Sequence, residues 1–170
     1  TGTRNHLVIR IMRDPQIDAW LRGIPGYDPV ATAGDAWFDP APARRAISFF
    51  ARALRHVEGA TYGKPFRLEP WQEAIIANLF GWQRRDGAGR IVRRYRKMLL
   101  YVPRKNGKTP LAAGIGLYVL FTDPERGQQN VIAAANKEQA GFLFRHARGM
   151  VEIQPALRRA ATIFGGNAPA

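Results

Sequence analysis

Val102-Pro103-Arg104-Lys105-Asn106-Gly107-Lys108-Thr109 is the stretch of this chain whose residue types and spacing could do chemistry. A short apolar run, Lys97 to Val102, precedes it, and an apolar segment from Pro110 to Phe121 follows. Between a strand and a helix, a loop ending in Gly-Lys-Thr can curl its backbone N–H groups around an anion, with the positive end of the helix dipole facing the same point. Gly107 supplies the backbone freedom for close approach. Lys108 would reach the β- and γ-phosphates, and Thr109 would place its hydroxyl on Mg²⁺. Arg104, Lys105 and Asn106 complete the loop, the two cations adding positive charge where a triphosphate would lie.

The usual phosphate-loop pattern opens with a glycine where this chain has Val102. Gly-Lys-Thr by itself is a weak signal, and the competing reading is a basic surface turn with Arg104 and Lys105 simply solvated. Phosphoryl transfer also requires an Asp that holds Mg²⁺ after an apolar strand, and an acidic residue to orient water. No apolar run ending in Asp-Glu follows the loop, and Asp123, Glu125, Glu138 and Glu152 fall in a turn or on helices. The clustered carboxylates of a two-metal nuclease are missing as well. The expectation is nucleotide or phosphate binding with little or no turnover.

Elements that would position this loop can be read along the chain. Residues 1–38 form an arm, with a short strand at His6 to Met12 and one or two turns of helix at Asp14 to Leu21. Gly23, Pro25, Gly26 and Pro29 then interrupt regular structure. Asp39-Pro40-Ala41-Pro42 marks a helix start, after which Ala46, Phe49, Phe50, Ala53, Leu54 and Val57 recur at helical spacing. Residues 58–66 read as a loop. A second helix spans Pro70 to Gly81, with Trp71, Ala74, Ile75, Leu79 and Trp82 as its apolar face and Gln72 on its polar side. Asp86-Gly87 reads as a hairpin tip. Lys97 to Val102 and Asn130 to Ala135 fit buried strands; Asn136 caps a further helix whose buried face is Phe142, Leu143, Ala147, Met150 and Val151. Strand, loop, helix, strand, helix is the βαβ order of a parallel sheet, so the fold class is α/β. Ile163-Phe164 would begin another strand that Gly165-Gly166 ends.

Composition sets the bounds. The chain has 170 residues, no cysteine and three scattered histidines, His6, His56 and His146, which argues against disulfides and zinc. No apolar run reaches bilayer-spanning length, and no secretion signal is read at a start that lacks Met, so a soluble intracellular protein is expected. The net charge is +13. A GC-rich coding sequence would account for the total, but Arg84, Arg85, Arg90, Arg93, Arg94 and Arg96, continuing through Lys97 to Lys108, are opposed within that stretch by Asp86 alone. A patch of this kind suits a polyanion.

Leu68-Glu69-Pro70-Trp71-Gln72, then Phe80-Gly81-Trp82, then Val102 to Thr109, then Ala133-Ala134-Ala135-Asn136-Lys137-Glu138-Gln139-Ala140 resemble, in order, signatures of the large subunit of tailed-phage terminases. Gly63-Lys64-Pro65-Phe66 is a weaker match just upstream, and the resemblance covers about Phe38 to Leu157. That family's altered phosphate loop, with Arg and no opening Gly, fits Val102 and Arg104. The resemblance implies a partial P-loop NTPase domain with a parallel-sheet core over residues 39–170, without its Walker B strand or nuclease domain. It implies ATP and Mg²⁺ as cofactors, Gln72 as adenine reader, and Arg104 as γ-phosphate sensor and, with Lys108, catalytic residue. It further implies double-stranded DNA as the translocated partner, the terminase small subunit and capsid portal as others, a homo-oligomeric ring, no membrane, and the host cytoplasm as location. The chain would be an N-terminal piece of an ATPase, inactive alone. The alternative is a basic nucleic-acid-binding module that uses the patch from Arg84 to Lys108, with Trp82, Tyr95 and Tyr101 interleaved. A third reading is a non-functional relic with an exposed sheet edge.

Overall fold

A computed structural model describes residues 14–122 and 127–164. The strand expected at His6 to Met12, and Asp123, Glu125 and Gly165-Gly166, lie outside the described residues. The chain divides into two compact units. One comprises Thr1–Ser48 with Leu68–Tyr101, the other Phe49–Arg67 with Val102–Ala170.

In the first unit, helix α1 (Pro15–Arg22) begins where Asp14 Oδ1 accepts from Gln16 N at 2.9 Å, and it buries Ile17, Trp20 and Leu21. Helix α2 (Pro40–Ala53), whose residues from Phe49 onward belong to the second unit, begins in the same manner, Asp39 Oδ1 accepting from Ala41 N at 2.9 Å. Helix α3 (Pro70–Gly81) starts at a proline and ends in β2. The packing of α1 on α3 requires Gly23, where an added Cβ would sit 2.7 Å from the Ala74 Cβ. Strands β1 (Trp37–Phe38), β2 (Trp82–Arg85) and β3 (Ile91–Arg93) form an antiparallel sheet in the order β1-β2-β3, with Phe38 opposite Trp82 and Gln83 opposite Arg93. Ile17, Trp20, Leu21, Phe38, Ala43, Ala77 and Trp82 make the core of this unit.

Arg94 ties the segment after α1 to this sheet. Its Nη1 donates to the Pro29 carbonyl at 3.0 Å, and its Nη2 donates to the Thr32 carbonyl and to Thr32 Oγ1 at 3.2 Å. The guanidinium lies over the rings of Trp82 (5.1 Å) and Tyr95 (4.9 Å). So much of this part of the arm is held by one side chain.

The expected apolar face of α3 needs correction. Trp71, Ile75 and Leu79 are only half-buried, whereas Gln72, Ala74, Ile76, Ala77, Asn78 and Phe80 are buried. A helix apolar nearly all round carries little directional signal, and tertiary packing selects its inner face. Asn78 is buried because it is fully bonded: Nδ2 donates to the carbonyls of Trp20 and Ala74 at 2.8 Å each, and Oδ1 accepts from Trp82 Nε1 at 3.0 Å.

In the second unit, helix α4 (Lys108–Thr122) starts two positions before Pro110, and helix α5 (Lys137–Ile153) starts at the Asn136 cap, whose Oδ1 accepts from Gln139 N at 2.9 Å. Helix α6 (Pro155–Ala160) follows. Phe50, Leu54, Leu111 and Met150 are fully buried here. Phe142, expected on the buried face of α5, is 48% exposed; the buried stripe of this helix is instead centred on Met150 and Val151.

Gly114 of α4 faces Phe50, and an added Cβ would lie 2.4 Å from Phe50 Cε1, with Leu54 Cδ1 at 3.0 Å. Neither ring nor leucine can yield without disturbing the packed core. Gly114→Ala therefore lowers stability by about 1–3 kcal/mol through overpacking, despite the better helix propensity of alanine. Chemical denaturation of the two versions checks this, and an unchanged or higher midpoint would contradict it.

The parallel sheet expected from the sequence is not present among the described residues. The sheet there is the small antiparallel one, and the fold is mixed helix and strand. Lys97 to Val102 and Asn130 to Ala135 have no strand pairing, and Leu99, Tyr101 and Val131 are 95%, 98% and 84% exposed. Apolar, β-favouring residues mark where a strand can form, but a strand exists only when a neighbour meets its N–H and C=O groups. The described residues supply no such neighbour.

Candidate phosphate-binding loop

The segment before α4 is a tight turn, not an extended link. Residues 104–107 bend sharply, and both Lys105 and Gly107 have φ of 67°, in the left-handed region, on either side of Asn106. For glycine this conformation is free of a Cβ penalty; for Lys105 it is uncommon. Alternation of right- and left-handed residues gathers successive N–H groups on one side of the chain, the arrangement that makes an anion nest.

Polar groups within the loop fix its shape. Asn106 Nδ2 donates to the Pro103 carbonyl at 3.3 Å, and Leu111 N donates to the Gly107 carbonyl at 3.1 Å as α4 begins. Lys108 folds back, its Nζ donating to the carbonyls of Val102 at 2.5 Å and Pro103 at 2.8 Å. These two carbonyl contacts are not legible in the sequence, because nothing in residue type reports where a main-chain oxygen will point. Arg104 and Lys105 are exposed, and no ion pair to either is found among the described residues. Thr109 is half-buried in the first turn of α4, which contains no acidic residue. The helix dipole and the loop cations thus meet at one point, with no acid in the first turn to offset them.

Arg104, Lys105, Asn106, Gly107, Lys108 and Thr109 are therefore brought together in one turn. Gln72 belongs to the other unit. Rather than standing on a solvated helix face, it is 5% exposed, and its Oε1 accepts from Glu69 N at 3.0 Å at the start of α3. An amide oxygen has two lone pairs, so this bond leaves it one acceptor site beside its NH₂ group.

Residues 70–162 match the family described as terminase large subunit, ATPase domain. The chain belongs to that family. The match runs from α3 through the loop to the end of α6. The terminase large subunit of Enterobacteria phage HK97 is 36% identical over 116 residues, covering 67% of this chain and 21% of the relative. The crystal structure of the HK97 bacteriophage large terminase superposes with a TM-score of 0.59 at 32% identity, covering 73% of this chain and 23% of that one. The present terminase-family chain thus spans about a fifth of the length of the relative it matches.

The family uses a nucleotide and Mg²⁺, and the loop fits both in kind. Two left-handed residues, a helix amino end and Lys108 suit phosphate oxygens. Thr109 offers one hydroxyl, in keeping with the preference of Mg²⁺ for few protein ligands completed by phosphate and water. Among the described residues no group of His, Asp and Glu side chains could hold a metal ion by itself. None of the helices described is long and apolar enough to cross a membrane.

Proposed function

We propose that residues 102–109 bind the triphosphate of ATP with Mg²⁺, as the nucleotide-holding part of a motor that drives double-stranded DNA into a phage capsid. The observation that carries this reading is Lys108, drawn across the loop by two main-chain carbonyls and with no carboxylate partner among the described residues. A carbonyl is a weaker partner for an ammonium group than a phosphate, so Lys108 is poised to exchange the Val102 and Pro103 oxygens for the β- and γ-phosphates. Backbone N–H groups of Lys105, Asn106 and Gly107 would hold the phosphate oxygens, and the Thr109 hydroxyl would be a ligand for Mg²⁺, which when bound would screen the phosphate charge. Arg104, exposed at the turn, senses the γ-phosphate. Residues 39–170 then supply the binding half of an ATPase domain and do not complete hydrolysis alone. In the whole protein, a ring of such subunits in the host cytoplasm acts on DNA with a small subunit and the capsid portal.

Thermal melting with an ATP analogue and Mg²⁺ tests the loop. A ligand at about 100 times its dissociation constant stabilises the fold by about 2.7 kcal/mol, and Lys108→Ala abolishes most of that shift. A shift that is absent, or equal in both versions, refutes nucleotide binding here and favours the basic nucleic-acid module. Mg²⁺-dependent hydrolysis by this chain, lost on Lys108→Ala, would instead refute binding without turnover.

A further inference from the structure

The basic stretch contains a second surface whose geometry differs from that of the loop. β2 and β3 form a two-stranded ribbon closed by a tight turn at Asp86 to Gly89. Asp86 braces that turn: Oδ1 accepts from Ala88 N and Arg90 N at 2.9 Å each, and Oδ2 pairs with the Arg90 guanidinium at 2.8 Å. Its backbone N–H donates to the Arg90 carbonyl, and its carbonyl accepts from Gly89 N, both at 2.9 Å. The Arg90 backbone N–H, ahead of its guanidinium, holds the Asp86 carboxyl below the usual carboxylate range. Asp86 is the only acid between Trp82 and Tyr101, and it is committed to the turn.

The cations are not equivalent. Arg94 is taken up by the Pro29 and Thr32 carbonyls, and Arg93 lies over the Phe80 ring at 5.4 Å. Arg84, Arg85 and Arg96 are exposed, Arg85 also donating from Nη1 to the Gly89 carbonyl at 2.9 Å. Adjacent residues of a strand point to opposite faces, so Arg84 and Arg85 put positive charge on both sides of the ribbon.

Of the aromatic residues interleaved with these cations, Trp82 and Tyr95 are turned inward, while Tyr101, outside the ribbon, is exposed. Trp82 is buried with its Nε1 bonded to Asn78, and Tyr95 packs edge-on against Tyr27 with its hydroxyl buried. Ile91, the ribbon's large exposed apolar side chain, has no ring. Binding of unpaired strands draws on stacking of bases on exposed aromatic faces. Phosphate contacts to a duplex need only placed cations. We infer that the β2–β3 ribbon, through Arg84 and Arg85, together with Arg96 in the segment just after β3, grips the phosphate backbone of duplex DNA and is not a platform for unpaired bases. The choice of DNA rests on the function proposed above; the preference for duplex rests on the buried rings.

The test is equilibrium binding of the 170-residue chain to a labelled mixed-sequence duplex and to one of its strands, over a KCl series. Duplex is bound more tightly than single strand. Arg84→Gln/Arg85→Gln/Arg96→Gln weakens duplex binding and lowers the slope of log affinity against log salt by about 0.9 for each phosphate contact removed. The matching lysine triple keeps the slope, which separates charge from misfolding, and an unchanged melting temperature of the glutamine triple confirms it. A slope unaltered by the glutamine triple overturns the ribbon while leaving DNA handling intact. Tighter single-strand binding that falls on Tyr101→Ser overturns it in favour of stacking outside the ribbon. Absence of any DNA binding overturns it too, and the nucleotide melt then judges the loop separately.

Discussion

Phe50→Ala lowers the stability of the second unit by about 3–5 kcal/mol, an effect comparable with a small domain's whole margin. The ring has no solvent exposure, meets Phe66 edge-on at 5.6 Å, and lies directly against Gly114 of α4. Removing it takes away the apolar area of the ring and opens a cavity between the end of α2 and α4, which rigid helices cannot close. Because α4 carries Lys108 and Thr109 at its first turn, the same variant should blunt nucleotide-dependent stabilisation even at temperatures where it remains folded. Denaturant unfolding measures the first effect, and melting with nucleotide the second. A loss under about 1 kcal/mol would show that the site collapses around the deletion.

Asn78→Leu is expected to destabilise the first unit by about 2–6 kcal/mol. Leucine has as many side-chain heavy atoms as asparagine, so the effect is not a cavity but two orphans: the Trp82 indole N–H and the Trp20 carbonyl each lose their partner in a buried place. Each such group costs about 1–3 kcal/mol. The Ala74 carbonyl remains in the backbone ladder of α3 and adds little. Trp82→Phe removes one orphan, so the Asn78→Leu/Trp82→Phe double variant should lose less than the two single losses added together. Strict additivity in that cycle would mean that the Asn78–Trp82 bond contributes nothing.

Features set by near neighbours were legible in the sequence. Asp39, Asn136 and the Asp86-Gly87 tip act within four residues, and each is found bonded as its type implies. Gly107-Lys108-Thr109 marked the loop for the same reason, since its shape depends on adjacent residues. Features set by distant partners were not. Asn78 is buried because Trp20, 58 residues earlier, presents a carbonyl to it, and no local pattern announces that. The apolar runs at Lys97 to Val102 and Asn130 to Ala135 satisfied the composition of strands, but pairing belongs to two segments at once and cannot be read from one. Gln72 falls between the cases: its bond to Glu69 N is local and familiar as a capping pattern, yet its burial comes from packing.

Arg94 shows why net charge is a poor gauge of what a segment presents to the outside. Both of its terminal nitrogens donate to main-chain oxygens and two neighbouring rings lie against it, so it counts as positive electrically while being chemically spoken for. Lysine in its place would keep the sign and lose the fork, having no planar group to lie against two rings while reaching two carbonyls. Arginine at this position therefore serves as a rivet of the architecture, and an inventory of cations that includes it overstates how many hands the protein holds out.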